Sequence, residues 1–139
     1  MLAEYKEKGL RWAVDYDCKR VRPLVVYKSE DVDLEDFRIE RSGFWAVTLT
    51  YSQKVHVNGI VIRNNIGGEG PSSDEISTEW SVEILVEDCD VDCNDDNFCL
   101  KAGRGADGLR VNKPVENVVY RNNLARAGHG LFTIGSETA

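Results

Sequence analysis

Two adjacent carboxylates, Asp95 and Asp96, stand in "DCNDDNFCLKAG" (residues 92–103), at the edge of a run that otherwise reads as buried strand. Paired carboxylates suit the hydrolysis of a glycosidic bond. One must keep a proton to give to the leaving oxygen, while another, ionised, activates water. A third acid, Asp74 in "GPSSDEIS", and a histidine, His129 in "AGHG", complete the residues of this chain that fit such chemistry. Crowding acids together raises the pKa of one of them, and a spread of pKa values is what separates acid from base. Taken singly, Asp95 and Asp96 read as a solvated turn, Asp74 as ordinary Ser-Ser-Asp loop chemistry, and His129 as a turn histidine. Whether the four meet depends on the elements that carry them.

Those elements repeat. "DVDLEDFRIE" from Asp31, "KVHVNGIVIR" from Lys54, "EILVEDCDVD" from Glu83 and "NVVYRNNLAR" from Asn117 share one pattern, at spacings of 23, 29 and 34 residues. Each opens on a polar residue and then alternates, with Val32 and Leu34, Val55 and Val57, Ile84 and Val86, or Val118 and Tyr120 as the apolar set. Asp36, Gly59, Asp88 and Asn122 fall at the equivalent turn-prone position. Short alternating runs punctuated by Asp, Asn or Gly predict strands, and no segment has helix-length periodicity. A second apolar strand follows three of the four starts: "FWAVTLT", "NFCLKA" and "GLFTIGS". In the second unit it is displaced by the insertion "NNIGGEGPSS" and begins near Asp74.

Each unit therefore gives at least two strands and cannot bury its apolar side alone. Stacking the units as a parallel β-helix solves this, with Val32, Leu34, Val55, Val57, Ile84, Val86, Cys89 and Val91 inside and insertions confined to loops. A β-sandwich would explain the strands but not their recurring order. The expected architecture is all-β, a solenoid of about four coils forming a single partial domain over residues 1–139. Residues 1–20 lead in, with a short helix, and residues 21–139 form the coils. The strand before "GSETA" carries no sign of a polar cap, which reads as a piece of a longer solenoid. In this stacking Asp74, Asp95 and Asp96, with His129 next in line, lie on consecutive rungs about 4.8 Å apart.

Composition bounds the remaining choices. With 139 residues, 42% of them hydrophobic and 29% charged, the chain has a globular balance. No stretch approaches the roughly 18 apolar residues of a membrane span, and "MLAEYKEKGLRW" lacks the basic-then-apolar design of a signal peptide, so membrane partners are not expected and localisation is not written here. Between Glu69 and Asp96 there are eleven carboxylates and no Lys or Arg, whereas Lys101 to Arg126 holds six cations against two carboxylates. Such a boundary can frame a site where acids act and cations, Lys101 among them, hold an anionic ligand. A solvated surface accounts for the same charges. The net charge of −7 argues against a nucleic-acid partner. Cys18, Cys89, Cys93 and Cys99 contain no Cys-x-x-Cys pair, so a zinc site is not expected and buried thiols are. Asp88 to Cys99 mimics a calcium loop in spacing but has Cys93 at its sixth position and Cys99 at its twelfth, which excludes an EF-hand.

The segments "GPSSDEIS", "CNDDNFCLKAGRGADGLRVNKPVENVV" and "AGHGLFTIGSETA", in this order, resemble glycoside hydrolase family 28, the polygalacturonases and their pectin-degrading relatives. The resemblance covers residues 20–139. It implies a right-handed parallel β-helix and inverting hydrolysis of polygalacturonan or rhamnogalacturonan, without metal or cofactor. A pectic polysaccharide or oligosaccharide would be the partner, met outside the cell or in a periplasm. It further implies that Asp95 is the general acid, that Asp74 and Asp96 activate water, and that His129 positions or tunes the acid. Ser72, Glu75, Lys101, Gly128 and Gly130 become candidate substrate contacts. Two departures are visible: Glu75 replaces a glycine and is expected to crowd the sugar, and Ser72 replaces an asparagine whose amide would bond substrate or a catalytic carboxylate. The family's Arg-Ile-Lys motif does not occur within the chain. A calcium-dependent lyase and a non-catalytic binding β-helix remain the alternatives.

Overall fold

The structure, a computed structural model, describes residues 2–9 and 20–139. Helix α1 (Leu2–Glu7) is the expected lead-in helix, and residues 10–19, with Cys18 among them, lie outside the described residues. Strand β1 (Leu24–Tyr27) then precedes four coils. The first is β2 (Glu30–Glu35), β3 (Arg38–Glu40) and β4 (Val47–Thr50), and the second β5 (Gln53–Asn58), β6 (Val61–Arg63) and β7 (Ile76–Glu79). The third is β8 (Val82–Glu87), β9 (Asp90–Asp92) and β10 (Asp96–Lys101). Helix α2 (Gly105–Val111) leads to the fourth, β11 (Glu116–Arg121), β12 (Leu124–Ala125) and β13 (Gly130–Ile134).

Every strand pairing is parallel, and the strands form three sheets. We call β1-β4-β7-β10-β13 sheet A, β2-β5-β8-β11 sheet B and β3-β6-β9-β12 sheet C. Each coil has three strands, against the expected minimum of two, because the first repeat segment bends in its middle into β2–β3, β5–β6, β8–β9 and β11–β12. The bend falls at Asp36, Gly59, Asp88 and Asn122, all with φ between 53° and 65°. Glycine adopts this left-handed conformation freely, and Asp and Asn tolerate it better than other residues, which is why the turn-prone position recurs. The backbone N–H of Asp36, Gly59 and Asp88 each reaches a carbonyl of the next coil, so the turn costs the ladder no hydrogen bond.

The registers Val32–Val55–Ile84–Val118 and Leu34–Val57–Val86–Tyr120 stack the predicted interior residues on one another. Val55, Val57, Ile84, Val86, Cys89 and Val91 are fully enclosed, and Val32 and Leu34 pack against them from the first coil. Each enclosed Val or Ile contributes roughly 1.5–3 kcal/mol of burial. Insertions go to the corners. Residues 64–75 swell the second coil between sheets C and A, while α2 fills the A-to-B corner after the third.

Candidate active site

The corner between sheets C and A carries the site. Ser72 and Asp74 lie on the long turn before β7, Asp95 and Asp96 at the start of β10, and His129 on the turn before β13. Register does the positioning. Ile76 pairs with Phe98 and Asp96 with Gly130, so Asp74, Asp96 and Gly130 fall on one rung position of successive coils. Oxygens of Asp74 and Asp96 and the Cys99 sulfur all lie within 4.8 Å of one another. Asp95 keeps different company: Ser72 Oγ donates to its Oδ2, and His129 Nδ1 is 3.7 Å from its Oδ1. The structure therefore brings Asp74, Asp95, Asp96 and His129 together. The hydroxyl of Ser72 reaches a carboxylate despite lacking the amide seen as missing from sequence.

Burial grades these groups. The His129 side chain is 75% exposed and that of Asp95 28%, against 6% for Asp74. Burial holds the Asp74 carboxyl above the usual aspartate range; the Lys101 ammonium opposes this, and the Asp95 charge adds to it. Lys101 Nζ lies 3.3 Å from Asp74 Oδ2, an ion pair whose alignment leaves that oxygen without a hydrogen bond. The same ammonium donates to Gly135 O and Glu137 Oε2, both at 2.8 Å. Lys101 is 5% exposed. It is therefore not the open cation expected to grip a sugar carboxylate, because its contacts with Asp74, Gly135 and Glu137 enclose it.

Glu75 departs further from expectation. Its side chain turns inward, is fully buried, and accepts a hydrogen bond from Asn64 Nδ2 at 2.7 Å, so it does not occupy sugar space. Burial pushes its carboxyl well above the ordinary range despite the Asn64 bond, and the charges of Asp74, Asp92 and Asp95 act in the same direction. Its Oε1 has no partner. The two glycines contribute space rather than contacts. A Cβ on Gly130 would lie 2.7 Å from Asp96 Oδ1, and one on Gly128 2.8 Å from Asp95 O.

The basic run after Lys101 does not form one ligand-holding face. Arg121 pairs with Glu87 on sheet B, Arg126 with Asp90 at sheet C, and Arg110 with Asp107 on α2. The thiols are buried as expected for Cys89, Cys93 and Cys99, and burial pushes the Cys89 thiol up to about 11. Trp45 is a wall residue that sequence reasoning passed over. It stands two residues before Val47, which pairs with Ile76, so it continues the Asp74–Asp96 rung, with the Lys101 ammonium 5.0 Å from its ring and the Arg22 guanidinium 4.1 Å away. The signal was present in "FWAVTLT", where the aromatic pair precedes the strand at the rung the acids occupy one coil later.

The profile of Glycosyl hydrolases family 28 matches residues 8–139. A probable polygalacturonase of Vitis vinifera is 26% identical over 122 residues, 86% of this chain and 24% of that protein. Among solved structures, a hyperthermoactive exopolygalacturonase from Thermotoga maritima superposes with a TM-score of 0.77 at 33% identity, over 99% of this chain and 31% of that one. The family 28 exopolygalacturonase of Yersinia enterocolitica gives a TM-score of 0.68 at 25% identity, over 78% and 18% of the two chains. The chain spans about a quarter of the length of the curated relative it matches. With the parallel coils and the acid row already in place, the match over residues 8–139 makes the assignment: this chain belongs to family 28 of the glycosyl hydrolases.

Proposed function

We propose that the chain carries the acid–base row of an inverting hydrolase that cleaves polygalacturonan. Asp95 gives its proton to the glycosidic oxygen, Asp74 and Asp96 hold one water between them and take its proton as it attacks the anomeric carbon, and His129 orients Asp95 from the open side. The single observation that carries this reading is the spacing. Asp74 and Asp96 place oxygens within 4.8 Å of each other, whereas the acid and base of an inverting glycosidase stand about 6.5–9.5 Å apart with the water between. The close pair fits as one base, which leaves Asp95, whose carboxylate accepts from Ser72 and lies 3.7 Å from His129 Nδ1, as the acid.

Relatives that are polygalacturonases by name support the substrate class, and the Lys101 ammonium, 3.3 Å from Asp74 Oδ2, opposes by its charge the binding of a calcium ion at that carboxylate. The deciding experiment is a reducing-sugar assay of the purified chain on polygalacturonate and on rhamnogalacturonan, with chelator present and Asp95→Asn as control. Release on polygalacturonate that survives chelator and disappears in Asp95→Asn, with far-ultraviolet circular dichroism unchanged, is the expected result. Turnover retained by Asp95→Asn would remove that residue from the mechanism. Binding of oligogalacturonate without any product would favour a non-catalytic carbohydrate-binding β-helix.

A further inference from the structure

Away from the acid row, the outer face of sheet B gathers a second set of donors. Asp33 and Glu35 are two residues apart on β2, so their side chains leave the same face of the strand. Asp33 pairs in register with His56 on β5. One oxygen from each acid and a His56 ring nitrogen lie within 4.8 Å of one another, and the His56 Nδ1 to Asp33 Oδ1 separation is 3.6 Å. The neighbouring cations are engaged elsewhere: Lys54 on Glu30 and Asp31, Arg38 on Glu40. Among the described residues no Lys or Arg reaches Asp33 or Glu35 within ion-pair distance.

The histidine is aimed into this set by a partner outside it. His56 Nε2 lies 2.8 Å from Glu87 Oε1, and the other oxygen of Glu87 receives Arg121 Nε at 2.5 Å. A carboxylate fixed by an arginine accepts the Nε2–H, which leaves the lone pair of the neutral ring on Nδ1, facing the two acids. This carboxylate–histidine arrangement is the one that orients metal-ligating imidazoles.

We propose that Asp33, Glu35 and His56 form a binding site for one divalent transition-metal ion of the zinc class, clamping the first coil to the second. Bonds of about 2.0–2.2 Å in a four-coordinate site put ligand atoms roughly 3.4 Å apart, so the observed spacing needs about an ångström of closure. The exposed Asp33 and Glu35 side chains have the freedom to supply it. An imidazole with two carboxylates favours zinc, copper, nickel or cobalt over calcium or magnesium, and the fourth position falls to water. The site lies on a different sheet from the acid row and does not depend on the function proposed for it.

The test is calorimetric titration of the chelator-stripped chain with zinc alone, alongside thermal unfolding at rising zinc concentration. The expected result is one ion per chain, a melting temperature that climbs with zinc, and a proton NMR shift of the His56 ring but not of His129. Affinity falls at least tenfold in Asp33→Asn/Glu35→Gln, and 10- to 100-fold in Glu87→Gln, which removes no ligand. Without metal, Asp33→Asn/Glu35→Gln should melt like the parent, because both side chains are exposed. No binding at millimolar zinc overturns the proposal. So does binding that survives Asp33→Asn/Glu35→Gln and leaves the His56 signal unmoved, which would place the ion at the Asp74, Asp96 and Cys99 donors instead.

Discussion

Replacing Glu75 by Gln isolates the cost of keeping a carboxyl inside the solenoid. Glu75 is fully enclosed, with one oxygen bonded to Asn64 and the other unpartnered, so its folded-state pKa is raised well above the 4.5 of a free glutamate. Below pH 4.5 the carboxyl is protonated in both states and favours neither. Above it the unfolded chain releases the proton while the folded chain retains it, so stability falls as pH rises, until the folded-state pKa is reached. One retained proton corresponds to about 1.4 kcal/mol per pH unit within that window. Glutamine keeps the shape and the Asn64 contact but cannot ionise. Urea unfolding of both proteins from pH 4 to pH 8 should give nearly equal stabilities at the acid end and a gap that opens in favour of Glu75→Gln with rising pH. Asp74 and Glu79, also raised by burial, tilt both curves alike and drop out of the difference. Parallel curves across the range would refute the reasoning, since they would mean that Glu75 ionises in the folded state at no cost.

Three other expectations concern the surrounding charges and space. Lys101→Met removes the ammonium that opposes burial at Asp74; with Asp74 as the base proposed above, the acid limb of the pH–rate profile should move to higher pH, and the fold should lose about 3–5 kcal/mol because Asp74 and Glu137 are left unpaired. Gly130→Ala should lower hydrolysis while preserving the circular dichroism spectrum, since its Cβ would stand 2.7 Å from Asp96 Oδ1; undiminished rate would show that the Asp96 carboxylate has room to shift. The Asp90 carboxyl, held down to about 2 by the Arg126 hydrogen bonds and by Arg63, contributes stability that is present above pH 3.8 and lost as pH falls through 2. Asp90→Asn should therefore be less stable than the parent at pH 7 and indistinguishable from it below pH 2, as followed by thermal unfolding.

Much of the architecture was legible in the chain because it is encoded locally. Alternation at Val55, Val57, Ile84 and Val86 states which side is inside, and the left-handed position at Asp36, Gly59, Asp88 and Asn122 states where each coil bends. The spacings 23, 29 and 34 are the register itself, visible in the pairs Val32–Val55, Val55–Ile84 and Ile84–Val118. From these the order of Asp74, Asp95, Asp96 and His129 along one corner follows without coordinates. The third strand was not counted because β3, β6, β9 and β12 are only two or three residues long beyond that bend.

Orientation at the corners was a different matter. Along a strand, parity fixes which way a side chain points; on a turn it does not, as Glu75 shows, and for Lys101, the last residue of β10, it was the partner rather than the direction that the sequence left open. Glu75 follows Asp74 directly and looked from sequence like a second group in the cleft, yet the next coil's ladder, through Glu75 N to Asp96 O, turns it to the Asn64 amide. Lys101 read as a cation free for an anionic sugar, but Glu137 lies 36 residues away and meets it only because β13 stacks on β10. The sequence by itself determined the coil, its bends and the acids on successive rungs, because each is written in residue type and period. Which of the neighbouring charges face substrate and which are sealed beneath it was decided by contacts between coils, because burial and partner choice are properties of the stack.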